Sequence, residues 1–343
     1  MAAVSGVRTC DEVLCWGREV VDPALRAQVD QLPATARRIA GYHLGWWDVD
    51  GEPTDGGGGK AFRPALCLLA AAATGADAVV ALPAAVAIEL VHNFSLLHDD
   101  VMDGDVRRRH RPTAWTVFGL GPAILAGDAL LTAAFDALAG SGHRHADVSV
   151  RRLSATVLAL VDGQSLDLEF EARDDVVMAE AMRMANAKTG ALLGCACALG
   201  ALFAGAPRPQ VDQVRLFGER LGFAFQLVDD MLGIWGDPVI TGKAVHSDLA
   251  SRKKSLPVVA ALGSDTSAGT ELAQLYKQTQ PLSAADVAYA AHLVQRAGAR
   301  AWSENEAADQ LTQAFEHLHA AELSGPAVGE LTALAHLVTS REH

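Results

Sequence analysis

The sequence predicts an all-α fold, and three observations carry that prediction. Half of the residues are hydrophobic, yet aromatics make up only 6%. The frequent residues are helix formers, Ala, Leu, Glu, Arg and Gln, and β-branched runs are few. Apolar positions recur at helical spacing along most of the 343 residues. That length allows one large domain or two modest ones. No composition shift or internal repeat marks a boundary, so residues 1–343 read as a single domain.

The elements follow in order. Residues 11–40 carry apolar positions at helical spacing among charges. The stretch DVDGEPTDGGGGK, rich in Gly and Asp, predicts a loop. Helical patterns then run over roughly 62–74, 81–103, 122–139, 147–172, 177–204 and 209–234, with a break at GAPRP, residues 205–209. The apolar stretch from Ala65 to Val91 is interrupted by Thr74, Gly75, Asp77 and Pro83, which predicts a buried helix pair and no membrane span. Residues 235–257 mix Gly, Pro and charges and predict a long loop. Helices resume over 257–263, 268–278, 283–299, 303–322 and 327–340.

The formal net charge of -13 argues against a general nucleic-acid binder, which needs a broad basic surface. It leaves room for a small anion in a local basic pocket. The five cysteines, Cys10, Cys15, Cys67, Cys195 and Cys197, fit no zinc spacing and read as reduced, buried residues of a cytosolic protein. The start, MAAVSGVRTCDEV, has no signal-peptide layout.

Chemistry concentrates in HNFSLLHDDVMDGDVRRRHRPT, residues 92–113. Asp99 and Asp103 lie one helical turn apart on one face, with Asp100 beside them. Crowded carboxylates on an apolar helix repel one another, and a divalent cation such as Mg²⁺ relieves that repulsion. Arg107, Arg108, Arg109 and Arg111 follow at once. An acidic metal site beside a basic cluster points to a polyanion such as diphosphate, which arginine grips with a bidentate fork. GGGGKAFRP, residues 56–64, sets Lys60 and Arg63 at a helix start, a second anion site by its free N–H groups and charges. FQLVDDMLGIWGD, residues 225–237, holds Asp229 and Asp230, but Gly233 stands where a third carboxylate one turn on would sit. Lys188-Thr189, Lys243 and Lys253 lie between and after these motifs, which suggests two acidic walls facing one diphosphate.

With these motifs in order, the chain resembles a trans-isoprenyl diphosphate synthase of the polyprenyl synthetase family. The first aspartate motif, DDxxD followed by RR, matches Asp99, Asp100, Asp103, Arg108 and Arg109. The GGKxxRP element matches Gly58 to Pro64, GQxxDL matches Gly163 to Leu168, and KT matches Lys188 and Thr189. The second motif, FQxxDDxxD, matches Phe225 to Asp230 and departs at Gly233; Gly242-Lys243 and Ser247 to Leu249 match elements downstream. The likeness spans roughly residues 55–260, with C-terminal helices over about 265–340.

The resemblance implies an isoprenoid synthase bundle around a central apolar cavity, working as a homodimer. Asp99, Asp103 and Asp229 would ligate Mg²⁺, supported by Asp100 and Asp230. Arg108, Lys188, Thr189, Gln226, Lys243 and Lys253 would grip the allylic diphosphate (dimethylallyl, geranyl or farnesyl). Lys60, Arg63, His92 and Arg109 would hold isopentenyl diphosphate. Three positions depart from the family pattern: Ala61 for a frequent Arg, His110 for a common Gly, and Gly233 for the last Asp of the second motif. Asp237 or Asp248 is the candidate to restore that last contact. Phe94 and Ser95, just before the first motif, would set chain length. A bulky residue beside a small one, with no insertion inside DDxxD, resembles the geranylgeranyl type; farnesyl is the next candidate, and a longer chain the one after.

Other readings fit less well. A class I terpene cyclase wants an Asn/Asp, Ser/Thr, Glu triad that DDMLGIWGD lacks. A non-catalytic partner subunit would have lost more than one aspartate. Asp174 and Asp175 read as a helix cap, and His98 as a packed residue. Trp46 and Trp47 of GYHLGWWD read as a cover for the core. Some actinobacterial relatives with a similar stretch look like enzymes packaged in encapsulin shells through a long N-terminal tail. The few residues before the first predicted helix give that partner little support.

Overall fold

The computed structural model describes residues 7–54, 59, 61–237 and 246–339. Lys60 and Lys243 lie outside the described residues, as do Gly58 and Gly242. Among the described residues the chain is almost wholly helical. α1 (Cys10–Asp30) opens with a capping box in which Thr9 and Glu12 satisfy each other's backbone N–H groups. α2 (Ala34–His43) follows, so the pattern over 11–40 is two helices. α3 (Phe62–Ala73) and α4 (Leu82–Met102) are the expected buried pair, and a proline in the first turn of α4 suits its start. A short hairpin, β1 (Arg107–Arg108) with β2 (Arg111–Pro112), leads to α5 (Ala114–Phe118) and α6 (Leu120–Ala139).

The second half runs through α7 (Ala146–Glu171), α8 (Met178–Ala185), a π-turn at Asn186–Gly190, α9 (Ala191–Phe203) and α10 (Arg208–Trp235). The stretch expected as one helix over 177–204 is thus broken at Lys188-Thr189. π-turns inside helices recur at functional sites. The described part of the expected loop 235–257 contains α11 (Ser247–Ala250). α12 (Leu256–Leu262), α13 (Ser267–Tyr276), α14 (Ala284–Arg296), α15 (Ala299–Ala320) and α16 (Pro326–Thr339) complete the chain. Asp174 and Asp175 do not cap α8. Val177 takes that place, and Asp175 pairs with Arg173 at 2.8 Å.

The chain divides into two compact units. The first takes Met1–Val157, Leu192–Gly218 and His317–Leu334; the second takes Leu158–Ala191, Glu219–Glu316 and Ala335–His343. The passages between them fall within helices, which is why no composition shift betrays a boundary. In the first unit α3 and α4 bury Leu66, Leu68, Leu69, Ile88, Leu90 and Leu97 completely or nearly so. Each such side chain contributes about 1.5–3 kcal/mol. In the second, Leu227, Val228 and Met231 of α10 pack with Leu256 and Val259 of α12.

By length and composition, three helical stretches could cross a membrane: Ala78–Met102, Leu120–Ala139 and Met178–Phe203. Their apolar windows are 67%, 44% and 72% buried inside the protein, so the first and last are chiefly core. All five cysteines are free. Cys67, Cys195 and Cys197 are buried as expected, but Cys15 is exposed and Cys10 half-buried.

Candidate active site

In the first unit the aspartate motif closes α4. Asp103 is its C-cap, with its N–H on the Asp99 carbonyl at 2.8 Å. Asp103 is exposed and Asp99 half-buried, while Asp100 points inward and is 1% exposed. Arg108 donates its Nε–H to Asp100 Oδ1 at 2.6 Å. Burial pushes the Asp100 carboxyl up to about 6, against the pull of Arg108.

The hairpin aims the arginines. Its turn residues Arg109 and His110 have φ of 50° and 64°, the left-handed pair that a tight two-residue hairpin requires. A Gly, expected at position 110 from the resemblance, would adopt this angle without the strain that His110 carries. Arg109 reaches Gly59, where an added Cβ would stand 2.8 Å from its Nη2. Arg18 donates to the Gly59 carbonyl at 3.0 Å. Arg63 Nη1 lies 3.2 Å from His92 Nε2. Burial, then Arg63, Arg109 and Arg108, hold His92 far below the usual histidine range. The imidazole is therefore neutral, accepts at Nε2 and carries its proton on Nδ1.

The aromatic segment GYHLGWWD proves to be the hairpin's scaffold. Tyr42 donates its hydroxyl to the Pro112 carbonyl at 2.9 Å. Arg111 lies over the Tyr42 ring and donates to the Tyr42 and Trp47 carbonyls at 3.2 and 3.0 Å. His43 stands in the same pocket as Asp100, Arg108 and Arg109. Burial and Arg109, Arg108 and Arg111 push it down to about 3. Sequence reasoning missed His43 and Tyr42, because nothing in the spacing of GYHLGWWD points at a hairpin some seventy residues later.

In the second unit α10 repeats the layout. Asp229 is exposed, whereas Asp230 is 4% exposed. Asp230 accepts Gln226 Nε2–H at 2.8 Å and the Leu256 N–H at 2.9 Å. Gln226 in turn accepts the Thr189 hydroxyl at 2.5 Å. Gln226 and Thr189, expected on the allylic diphosphate, also form a hydrogen-bond chain that ends on Asp230. Burial drives the Asp230 carboxyl up to about 7, with Lys253 pulling the other way.

Asp167, the acidic residue of GQSLDL, gathers the lysines. Lys188 Nζ lies 2.6 Å and Lys253 Nζ 3.6 Å from its Oδ2. Burial works to raise the Asp167 carboxyl, but Lys253 and Lys188 outweigh it and hold it below the usual range. Gly163 of the same motif sits against the π-turn; a Cβ there would meet the Lys188 backbone nitrogen at 2.6 Å. The motif could have pointed to this role, since a buried carboxylate needs a cation and the sequence offers Lys188 and Lys253 downstream.

Phe94 is buried and meets the His98 ring edge-on at 4.8 Å. His98 Nε2 lies 3.0 Å from the Ile124 carbonyl. Ser95 turns its hydroxyl onto the His92 carbonyl at 2.9 Å.

The donors suit Mg²⁺, which favours hard oxygen ligands. Among the described residues, no three acidic, histidine or cysteine side chains gather closely enough to cage an ion by themselves. That fits Mg²⁺ as well, because it is commonly bound by one or two carboxylates together with substrate phosphates. Asp100 Oδ2 is buried without a hydrogen-bond partner among the described residues.

An all-α chain with these two aspartate motifs matches known proteins over most of its length. Residues 54–294 match the sequence model of the polyprenyl synthetase family. The chain is 44% identical over 333 residues to a (2E,6E)-farnesyl diphosphate synthase of Mycobacterium tuberculosis, covering 96% of this chain and 93% of that one. It is 46% identical over 321 residues to a geranylgeranyl diphosphate synthase of the same organism, covering 93% and 91%. Among solved structures it is similar to a polyprenyl synthetase from Streptomyces coelicolor A3(2), with TM-score 0.91 and 47% identity, covering 95% and 98%. The chain belongs to the polyprenyl synthetase family. Membership makes it a prenyltransferase of isoprenoid synthesis.

Proposed function

We propose that the protein condenses isopentenyl diphosphate with an allylic diphosphate and releases geranylgeranyl diphosphate. One observation carries the reading: each aspartate motif sets an outward carboxylate beside one held inside, next to arginines in one unit and lysines in the other. Carboxylates for a cation and fixed positive charges for phosphate are what a diphosphate leaving group needs.

Asp99, Asp103 and Asp229 would hold Mg²⁺, with Asp100 and Asp230 fixing the backbone and neighbours around them. When bound, Mg²⁺ stabilises the charge that grows on the leaving diphosphate. Arg108, Lys188, Lys253 and Lys243 neutralise the allylic diphosphate as its C–O bond breaks. Lys60, Arg63, His92 and Arg109 hold isopentenyl diphosphate, whose double bond attacks the allylic carbon. Neutral His92 orients Arg63 without adding a competing anion. The proton lost afterwards goes to the departing diphosphate, and apolar surroundings keep water from the cation.

Phe94, buried against His98 and next to small Ser95, supports a floor for a twenty-carbon product. The likeness to a protein named farnesyl diphosphate synthase favours a second reading, a fifteen-carbon product. The family match runs through residues of both units, which supports one catalytic domain. The half-exposed apolar surface of α6, with Leu120 and Leu125 outward, supports a homodimer. Five free cysteines support a reducing cytoplasm as the place of action.

The deciding experiment incubates purified protein with labelled isopentenyl diphosphate and each allylic primer, with and without Mg²⁺. Chromatography of the dephosphorylated products should show a Mg²⁺-dependent twenty-carbon alcohol. A fifteen-carbon alcohol selects the second reading, and no product from any primer rejects both.

A further inference from the structure

Two arginines far apart in sequence close on Gly59, the residue before Lys60. One is Arg109 of the hairpin: a Cβ on Gly59 would stand 2.8 Å from its Nη2. The other is Arg18 of α1, which precedes every motif named above. Its Nη2 donates to the Gly59 carbonyl at 3.0 Å, across 41 positions of the chain. All of these residues lie in the first unit.

A glycine places α1 for this contact. A Cβ on Gly17 would stand 3.1 Å from the Cβ of Ala65, so α1 lies directly against the first turn of α3. A larger side chain at 17 would push the two helices apart and carry Arg18 away with α1. The backbone that enters α3 has little to hold it from within. Ala61 takes a φ of 50°, in the left-handed region, and no side chain caps the helix. The bond from Arg18 supplies from another element an anchor that the local sequence lacks.

Arg18 also brings a charge. Asp22 stands one turn along α1 from both Arg18 and Arg26 and is shared between them, so it neutralises neither alone. Burial lowers the Arg109 guanidinium, Arg108 and Arg18 add to that, and Glu89 and Asp100 oppose it. Like charges gathered this way repel one another, and a bound anion relieves the repulsion.

We propose that Arg18 is a positioning residue for isopentenyl diphosphate: from α1 it holds the Gly59 carbonyl and sets a positive charge beside the glycine stretch that receives that substrate. A carbonyl oxygen repels phosphate oxygens, and an arginine bonded to it reverses the local charge. A backbone ordered beforehand also spares the ligand the cost of ordering it. The allylic diphosphate is given to other residues, so the effect belongs to one substrate of the two. This rests on the reaction proposed above.

The test compares the wild type, Arg18→Gln, Arg18→Lys and Arg26→Gln. Arg26 is the control on the same helix: it shares Asp22 but lies over the Trp46 ring. Steady-state kinetics give KM for each substrate and kcat, and calorimetry reads isopentenyl diphosphate binding without turnover. Arg18→Gln should raise the KM for isopentenyl diphosphate by about tenfold, the loss of one charged hydrogen bond, and weaken binding in step. The allylic KM and kcat should be largely kept, a split that a merely structural loss would not give. Arg18→Lys keeps the charge and a donor and should recover part of the loss. Arg18 is exposed, so Arg18→Gln should melt with the wild type. If it fails to fold, Arg18→Lys decides: a raised KM for isopentenyl diphosphate supports the proposal and a wild-type one overturns it. An unchanged KM in Arg18→Gln, an equal rise for both substrates, or the same loss in Arg26→Gln also overturns it. A wild type that makes no prenyl product, yet binds isopentenyl diphosphate through Arg18, would instead overturn the proposed reaction.

Discussion

Asp167 shows how much a single residue can organise. One carboxylate oxygen receives two lysines that stand 65 residues apart in sequence, Lys188 and Lys253. Replacing it with Asn keeps the shape and removes the charge that holds the ammonium groups side by side. Asp167→Asn should lower kcat by about 10–100-fold, as losses of supporting groups commonly do, with a smaller change in melting temperature. Steady-state kinetics with an allylic primer would check it. Phe94 makes a different kind of prediction. Its ring is buried against His98, so Phe94→Ala opens space below the first aspartate motif. The product should lengthen by one or more isoprene units, read by chromatography of the alcohols. The same truncation should cost about 3–5 kcal/mol if the cavity stays empty, which denaturant melts would report. An unchanged product would move the floor to another element.

The hairpin is the element that turns four arginines into a directed cluster. Periodicity made α3, α4 and α10 legible, since their apolar stripes recur every three or four residues. It could not reveal the hairpin, because two strands of two residues carry no period. The backbone angles at Arg109 and His110 define it instead. A non-glycine residue in the left-handed region costs about 1–2 kcal/mol. His110→Gly should therefore raise stability by about 1 kcal/mol, measured by calorimetry, and leave the Asp100–Arg108 pair intact. The π-turn at Asn186–Gly190 escaped sequence reasoning for a related reason: its residues are ordinary helix residues. It is the close approach of Gly163 that marks where it packs.

At the scale of the whole molecule, surface and pH are the levers. Leu125 is 66% exposed on α6, a large apolar side chain facing outward. In the proposed homodimer Leu125→Arg should shift the protein toward monomer, seen by light scattering after size exclusion. His43 supplies a pH term. Its folded-state value is about 3, below the ordinary histidine value of 6.5. Between these two values the unfolded chain binds the proton more readily, so stability falls as pH drops through 6.5 toward 3. Burial acts together with Arg109, Arg108 and Arg111 to lower it, and a hydrogen bond with Asn93 opposes them without reversing the sign. His43→Gln should flatten that slope in urea melts taken across this range.

The sequence by itself determined the helical class, the family motifs and the residue types that suit diphosphate and Mg²⁺, because all of these are local. Helix periodicity lies within one element, and a DDxxD spacing lies within two turns. Only the tertiary structure decided which aspartate of each pair turns inward, which lysines share Asp167, and that the aromatic segment running on from the end of α2 carries the arginine hairpin. It also brought Arg18 to Gly59. Those relations depend on burial and on contacts between residues far apart in the chain. A carboxylate's direction is set by what packs around it, and that packing exists only once the helices have met.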